Sequence, residues 1–365
     1  MKREAWKHFD FWLFGAVVIL SIFGIAMIRS AAAGNEVLIE LVSRQMIWLG
    51  VTIVVILTVG LIDYHYYAAL SRTLYLGTAV LLAVIFVVGK VSFGAKRWLD
   101  TGLFFIQPAE LAKIIMILVL ADFFARHRDD EKNLRWVARS FILTASVVVW
   151  VFLQPNLSNS IVIFVIWFAL LWLAGLPVKY LVVFALVGVL LGAVAFPFLE
   201  PYQQQRVLNF IFPDPNARHG NSYNVDQAIV TIGSGGLFGQ GYGHSTQVQL
   251  RFLKVRHTDF IFSAMAAEFG FIGTVLIVGL LVFVIFRCFR AAKLASDAYG
   301  AFIAYGFAVL FFFQTAVNIG VNLSLIPVTG LTLPFISYGG SSLLSLGLGI
   351  GLVESVVSRH KELDF

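Results

Sequence analysis

The chain has 365 residues, 59% of them hydrophobic and only 13% charged, with a formal net charge of +6 and a mean hydropathy of +0.89. A water-soluble protein of this length could not hide so much apolar surface, so the composition points to an integral membrane protein. The basic excess sits mostly beside apolar runs, where orientation in the membrane accounts for it, and gives no argument for nucleic-acid binding. The single cysteine, Cys288, excludes an intramolecular disulfide.

Apolar runs able to cross a hydrocarbon layer of about 30 Å fall near 10–30, 45–62, 73–90, 108–125, 139–153, 157–175, 178–199, 260–286, 299–323 and 340–358. They predict an all-α polytopic membrane protein of about ten transmembrane helices, forming one domain over residues 1–365. The first run has no small-residue cleavage site and reads as a retained signal-anchor helix. Gln154-Pro155 separates the fifth and sixth runs, and Pro197 lies at the end of the seventh. No internal repeat is evident, so the inverted-repeat signature of many transporters is missing.

Between the seventh and eighth runs lies a polar, glycine-rich stretch, 201–258, read as one long loop. Fifteen lysines and arginines flank the runs on the side of the two termini, against five on the opposite side. By the positive-inside rule both termini are cytoplasmic and the long loop is outside. That topology denies the loop cytoplasmic ATP, so any synthesis there must use a substrate already activated in the membrane.

Four places could carry chemistry. Gln107-Pro108-Ala109-Glu110 opens the fourth helix, with Pro108 at its first position and Glu110 at its third, where a carboxylate suits the helix dipole. Lys113, three residues on, shares nearly the same face and can pair with Glu110. A lone cation so far inside apolar sequence costs roughly 2.5–3.5 kcal/mol on insertion scales, which favours a cavity or an anionic ligand over a mere helix-end pair. Just before that helix, Lys96-Arg97-Trp98 could hold a lipid phosphate or diphosphate; equally, Trp98 could be only an interfacial anchor.

The glycines of 232–241 superficially resemble a phosphate cradle, yet no Walker lysine follows, and tight turns are the better reading. At the loop's exit, His257-Thr258-Asp259 meets the eighth run, and Asp259 is a credible single general base at the water boundary. Glu268 is nine residues further, on the opposite side of a continuous helix and about 13 Å along it, a poor partner for a two-carboxylate mechanism. No zinc-like spacing and no Gly-x-Ser-x-Gly elbow occurs.

These segments together resemble the SEDS family (shape, elongation, division and sporulation proteins). The matching segments are Lys96-Arg97-Trp98-Leu99, Gln107-Pro108-Ala109-Glu110 with Lys113, Tyr202-Gln203 with Gln205-Arg206-Val207, Ile232-Gly233-Ser234-Gly235-Gly236, and Arg256 to Phe262. Pro327-Val328-Thr329-Gly330 and Leu333 to Ser342 complete the set. Within the family, Thr246-Gln247 with Gln249-Leu250 and a short N-terminus tilt the resemblance toward the RodA branch rather than FtsW.

The resemblance implies a glycosyltransferase of the bacterial cytoplasmic membrane that polymerises lipid II at the outer face, alongside a class B penicillin-binding protein transpeptidase and other elongation-complex membrane proteins. It places the essential aspartate at Asp259 and the membrane-buried pair at Glu110 and Lys113. Lys113, Arg97, Lys96 and Arg206 would then stabilise the departing diphosphate, with Trp98 and His257 beside the substrate. The sequence identifies no cofactor; a divalent cation, Mg or Mn, could share that task, although no complete ligand set is visible. One departure stands out: the family's usual Gln-Pro-Asp-Leu-Gly-Thr reads Gln154-Pro155-Asn156-Leu157-Ser158-Asn159, so an acidic residue is replaced by Asn156. The alternative readings are a flippase or transporter for the same lipid-linked precursor and a non-catalytic scaffold for wall enzymes.

Overall fold

The computed structural model describes residues 8–33, 36–88, 90–92, 95–100, 105–128, 133–213 and 220–359. Thirteen α-helices occur among them, and ten coincide with the predicted runs: α1 Phe11–Ala32, α2 Glu36–Leu61, α3 His65–Val88, α4 Pro108–Arg126, α5 Leu134–Leu153, α6 Leu157–Leu173, α7 Val178–Ala195, α11 Ile261–Leu294, α12 Ala298–Asn322 and α13 Gly340–Val357. Eight of these ten are long and apolar enough to cross a membrane. The other two are α4, which carries Glu110, Lys113, Asp122 and Arg126, and α6, an apolar helix of 17 residues.

The caps explain several boundaries. Asp10 accepts from the Leu13 N–H to start α1, Asn133 from that of Trp136 to start α5, and Asp297 from that of Gly300 to start α12. Pro108 is the first residue of α4, as its fixed φ and missing N–H favour. Asn156 takes the N-cap position of α6.

Buried α12 packs against α4, α6 and α11, while α13 runs along α2. The second contact needs small residues: a Cβ on Gly340, Gly347 or Gly351 would come within 2.1, 2.4 or 2.8 Å of Trp48, Thr52 or Val59. With no hydrophobic gain between helices already in lipid, such close backbone approach supplies much of the packing.

The expected all-α membrane bundle is present, with two additions. A small antiparallel sheet β1-β2-β3 (Lys90–Ser92, Ala95–Asp100, Phe105–Ile106) precedes α4. The long connection 201–258 has helices of its own: α8 Pro201–Ile211, α9 Gly220–Ser234 and the short α10 Thr246–Gln249. Its glycine run does form tight turns, with Gly236, Gly239, Gly241 and Gly243 all in left-handed conformation.

That glycine run performs a specific task. Gly270 interrupts α11 with φ 66 and ψ −169, which breaks the helical hydrogen-bond ladder. The turn supplies the missing partners. Gln240 and Gly241 N–H groups donate to the carbonyls of Ala267 and Glu268 (2.9 and 3.0 Å), and the Phe271 and Ile272 N–H groups donate to the carbonyls of Gly236 and Leu237 (2.9 and 3.1 Å). Backbone left unpaired at such a break would cost several kcal/mol in an apolar surround, so the turn acts as a splint.

Candidate active site

The site begins with the few residues that lead into α11. Three successive carbonyls there are each gripped by α12 or by the segment that follows it. The His257 carbonyl accepts from the Tyr338 N–H at 2.9 Å and the Thr258 carbonyl from Ser337 Oγ at 2.8 Å. The Asp259 carbonyl accepts from Nδ2 of both Asn318 (3.2 Å) and Asn322 (2.9 Å). Asn322 also caps α11: its Oδ1 accepts from the Ser263 N–H at 3.1 Å and from Ser263 Oγ at 2.6 Å. Just upstream, buried Arg256 donates through Nε to the Ala31 carbonyl at 2.8 Å. A polar segment entering a membrane bundle must satisfy its backbone internally, and this network does so.

The Asp259 side chain emerges half-buried from this clamp. Beside it is Gly330 in left-handed conformation (φ 78); a Cβ there would lie 3.9 Å from Asp259 Oδ2 and 3.8 Å from Arg206 Nη1. Arg206 reaches across from α8 and donates through Nη1 to the Val328 carbonyl at 3.4 Å. Burial pushes the Asp259 carboxyl up to about 6, against the opposing pull of the Arg206 charge and the Thr258 hydroxyl. Half-buried His257 is driven the other way, by burial and by the neighbouring Arg256, so its ring is neutral at pH 7.

Deeper in the bundle, Lys113 Nζ and Glu110 Oε2 pair at 2.9 Å, with side chains 1% and 9% exposed. Asn159 Nδ2 donates to Glu110 Oε1 at 3.2 Å, and Ser345 Oγ lies 3.5 Å from Oε2. The expected i,i+3 pair is therefore present and faces protein instead of lipid.

The first turn of α6 joins the two clusters. Ser158 Oγ donates to the Thr329 carbonyl, next to Gly330, while Asn159 on the same turn holds Glu110. On the loop side, the Tyr202 hydroxyl of α8 donates to the Pro155 carbonyl at 2.6 Å, which fixes the helix that carries Arg206. Asn156 replaces a family acid, and its oxygen accepts from the Asn159 N–H at 3.4 Å. It thus keeps the capping role an aspartate would have had.

The remaining expected residues fall elsewhere. Lys96 and Arg97 lie in β2, outside the residues whose side chains are described. Trp98 is half-buried on the same strand, which packs against α3 and α4. Glu268 is buried and is not part of the Asp259 cluster; it accepts from Ser30 Oγ of α1 beneath the glycine turn. Among the described residues no three His, Cys, Asp or Glu side chains gather into a metal-ligating group. Sequence reasoning missed Asn318, Asn322 and Ser337. The two asparagines carry a readable signal, being polar residues four apart inside an apolar run, where such residues face the protein interior.

A ten-helix apolar bundle with a half-buried carboxylate on a clamped backbone segment and a separate buried ion pair defines a polytopic membrane protein with an enzyme-like polar site. Its family follows from comparison. The model of the cell cycle protein family that groups FtsW, RodA and SpoVE matches residues 5–362, and the chain belongs to that family. It is 32% identical over 366 residues to the peptidoglycan glycosyltransferase MrdB of Escherichia coli K12, covering 100% of this chain and 98% of that one. It is 33% identical over 356 residues to a probable peptidoglycan glycosyltransferase FtsW of Aliivibrio salmonicida, covering 94% and 88%.

Solved structures give the same picture. The rod shape determining protein RodA of Thermus thermophilus superposes with a TM-score of 0.74 at 32% identity, covering 98% of this chain and 99% of that one. A chain from a peptidoglycan synthase complex that coordinates polymerization and crosslinking superposes at 0.81, with 32% identity and coverage of 96% and 97%.

Proposed function

We propose that this chain is a peptidoglycan glycosyltransferase that polymerises lipid II, an undecaprenyl diphosphate-linked disaccharide peptide, into glycan strands during cell elongation. The relatives' shared activity supports the reaction class. The observation that carries the mechanism is the Asp259 carboxylate beside Arg206, held on a backbone clamped through its own carbonyl. Asp259 takes the proton of an acceptor sugar hydroxyl while that oxygen attacks the donor's anomeric carbon. The bond to the diphosphate breaks on the opposite face, the anomeric centre inverts, and the lipid diphosphate leaves. Arg206 offsets the developing negative charge, and Lys113, with Lys96 and Arg97 from β2, completes the expected set of cations. A carboxyl near 6 is still ionised at pH 7, yet is a stronger base than an ordinary aspartate.

Orientation rests on the fifteen-to-five charge count, which supports cytoplasmic termini and an outward-facing Asp259. Cysteines at the exposed positions Thr246 and Asn133, in a Cys288-free background, test it: an impermeant thiol reagent added outside should label only the first. The synthase complex among the structural relatives supports a class B penicillin-binding protein as partner.

The test of the whole reading is turnover of lipid II by purified protein in detergent, where nothing can be flipped. Parental protein should make polymer, and Asp259→Asn should be slower by about 10²–10⁴-fold, the usual worth of a general base. An Asp259→Asn variant that polymerises at the parental rate would end the assignment.

A further inference from the structure

A polymerase must hold more than the reacting atoms, because a strand that slips away after each coupling never grows long. A cleft beside Asp259 has the chemistry for that task. It lies between α8 and α9 and is floored by Ser324 and by Ile326, Pro327 and Val328. Arg206, Asn209 and Phe210 stand at i, i+3 and i+4 on α8, and Ser222, Val225 and Asp226 stand at the same spacing on α9. Each trio therefore shares one helix face, and the two faces line one cleft. Arg206 belongs to both places: it lines the cleft and also approaches Gly330 beside Asp259.

The side chains of Asn209, Ser222 and Asp226 make no hydrogen bonds with other described residues, so their donors and acceptors are available. Phe210 keeps 39% of its surface exposed at the cleft wall. The floor is held in shape by Ser324, whose backbone is left-handed (φ 57). Amide, hydroxyl and carboxylate groups beside an aromatic ring match a ring that is polar at its edge and apolar on its face, which describes a sugar.

We propose that the α8–α9 cleft is a saccharide subsite that holds the growing glycan strand, with its sugar ring on Phe210 and its hydroxyl or N-acetyl groups on Asn209 and Asp226. This inference rests on the glycosyltransferase reading, and its test separates the two. Full-length protein in detergent is given fluorescent lipid II, and both the rate of the first coupling and the strand-length distribution are measured for Asn209→Ala, Phe210→Ala and Asp226→Asn. Mean strand length should fall roughly 2- to 10-fold, the range one aromatic or polar contact supplies, with first coupling within about two-fold of parental. Phe210→Trp, which keeps a stacking surface, should restore length.

Asp226 is exposed, so Asp226→Asn reports on the cleft without disturbing the fold; thermal unfolding midpoints verify the others. Parental-length strands from all three variants would overturn the subsite, as would a first coupling that falls in parallel with length. The glycosyltransferase reading fails by a different result, an Asp259→Asn variant with undiminished turnover.

Discussion

The side-chain amide of Asn322, at the end of α12, donates to the backbone carbonyl of Asp259 at 2.9 Å, while its oxygen accepts from Ser263 on the first turn of α11. One side chain thus fixes both the residue that carries the carboxylate and the helix that follows it. The carboxylate itself takes no part in the grip. Asn318, one turn earlier, repeats the grip and also ties the Leu331 carbonyl at 2.8 Å, so the clamp extends to the segment around Gly330.

Asn322→Leu keeps the volume and removes both halves of that grip. Unsatisfied buried backbone groups cost about 1–3 kcal/mol each, so the unfolding midpoint should fall. The Asp259 carboxylate should also lose its placement, with polymerisation down by an order of magnitude or more, since small misplacements of a catalytic group cost about 10²-fold. An Asn322→Leu protein with parental midpoint and rate would remove the clamp from the mechanism.

The pH profile follows from the direction of the Asp259 shift. Burial raises this carboxyl to about 6, and the base is active only when ionised. Turnover at saturating lipid II should therefore rise with pH through an apparent midpoint near 6 and level off above pH 7. Stability runs the opposite way: a raised carboxyl pKa contributes stability below the unfolded value of 3.8, and that contribution is lost as pH rises through 6. Asp259→Asn should accordingly unfold at the same temperature or higher at pH 7.5, even as its turnover falls. A flat rate profile between pH 5 and 7 would show that another group takes the proton.

Lys113 and Glu110 should behave as a coupled unit. Removing one partner of a buried pair typically costs about 3–5 kcal/mol because the other charge is left uncompensated. Lys113→Met and Glu110→Gln should each lower the unfolding midpoint, whereas the double variant should recover much of it. Polymerisation should stay low in all three if Lys113 faces the diphosphate. Recovery of activity with the double variant would reduce the pair to a packing device.

The sequence made the ten helices readable because their apolar runs have the length a membrane demands, and proline or capping residues mark many of their ends. It also held the Glu110–Lys113 contact, which depends on local i,i+3 spacing alone. The junction of the two clusters was hidden, since Ser158 meets Thr329 across 171 positions and no local pattern encodes that pairing. The helices inside 201–258 were overlooked because they are short and polar, although Glu200, Pro201 and Gln203 spell a capping box. Gly270 was silent for the opposite reason: it sits inside a run that is apolar apart from Glu268, and only the turn that repairs the break gives it meaning.

That repair makes a last prediction. A Cβ on Gly239, already left-handed at φ 83, would lie 2.2 Å from the Glu268 carbonyl oxygen, and one on Gly235 would lie 2.1 Å from that of Ala266. Both obstacles are backbone in α11, which cannot swing aside as a flexible side chain can. Gly239→Ala should therefore cost about 2–4 kcal/mol, adding left-handed strain to overpacking, and Gly235→Ala about 1–3 kcal/mol from overpacking alone. Gly233 is two residues before Gly235, on helix α9, and a Cβ there meets nothing within 4 Å. Gly233→Ala should be neutral or slightly stabilising, because alanine is the better helix former. Thermal unfolding of the three purified variants measures the order. The splint also holds the half of α11 that follows Asp259, so polymerisation should track the unfolding midpoint, lowest for Gly239→Ala and parental for Gly233→Ala. Equal midpoints for Gly239→Ala and Gly233→Ala would mean that the turn does not brace the break in α11.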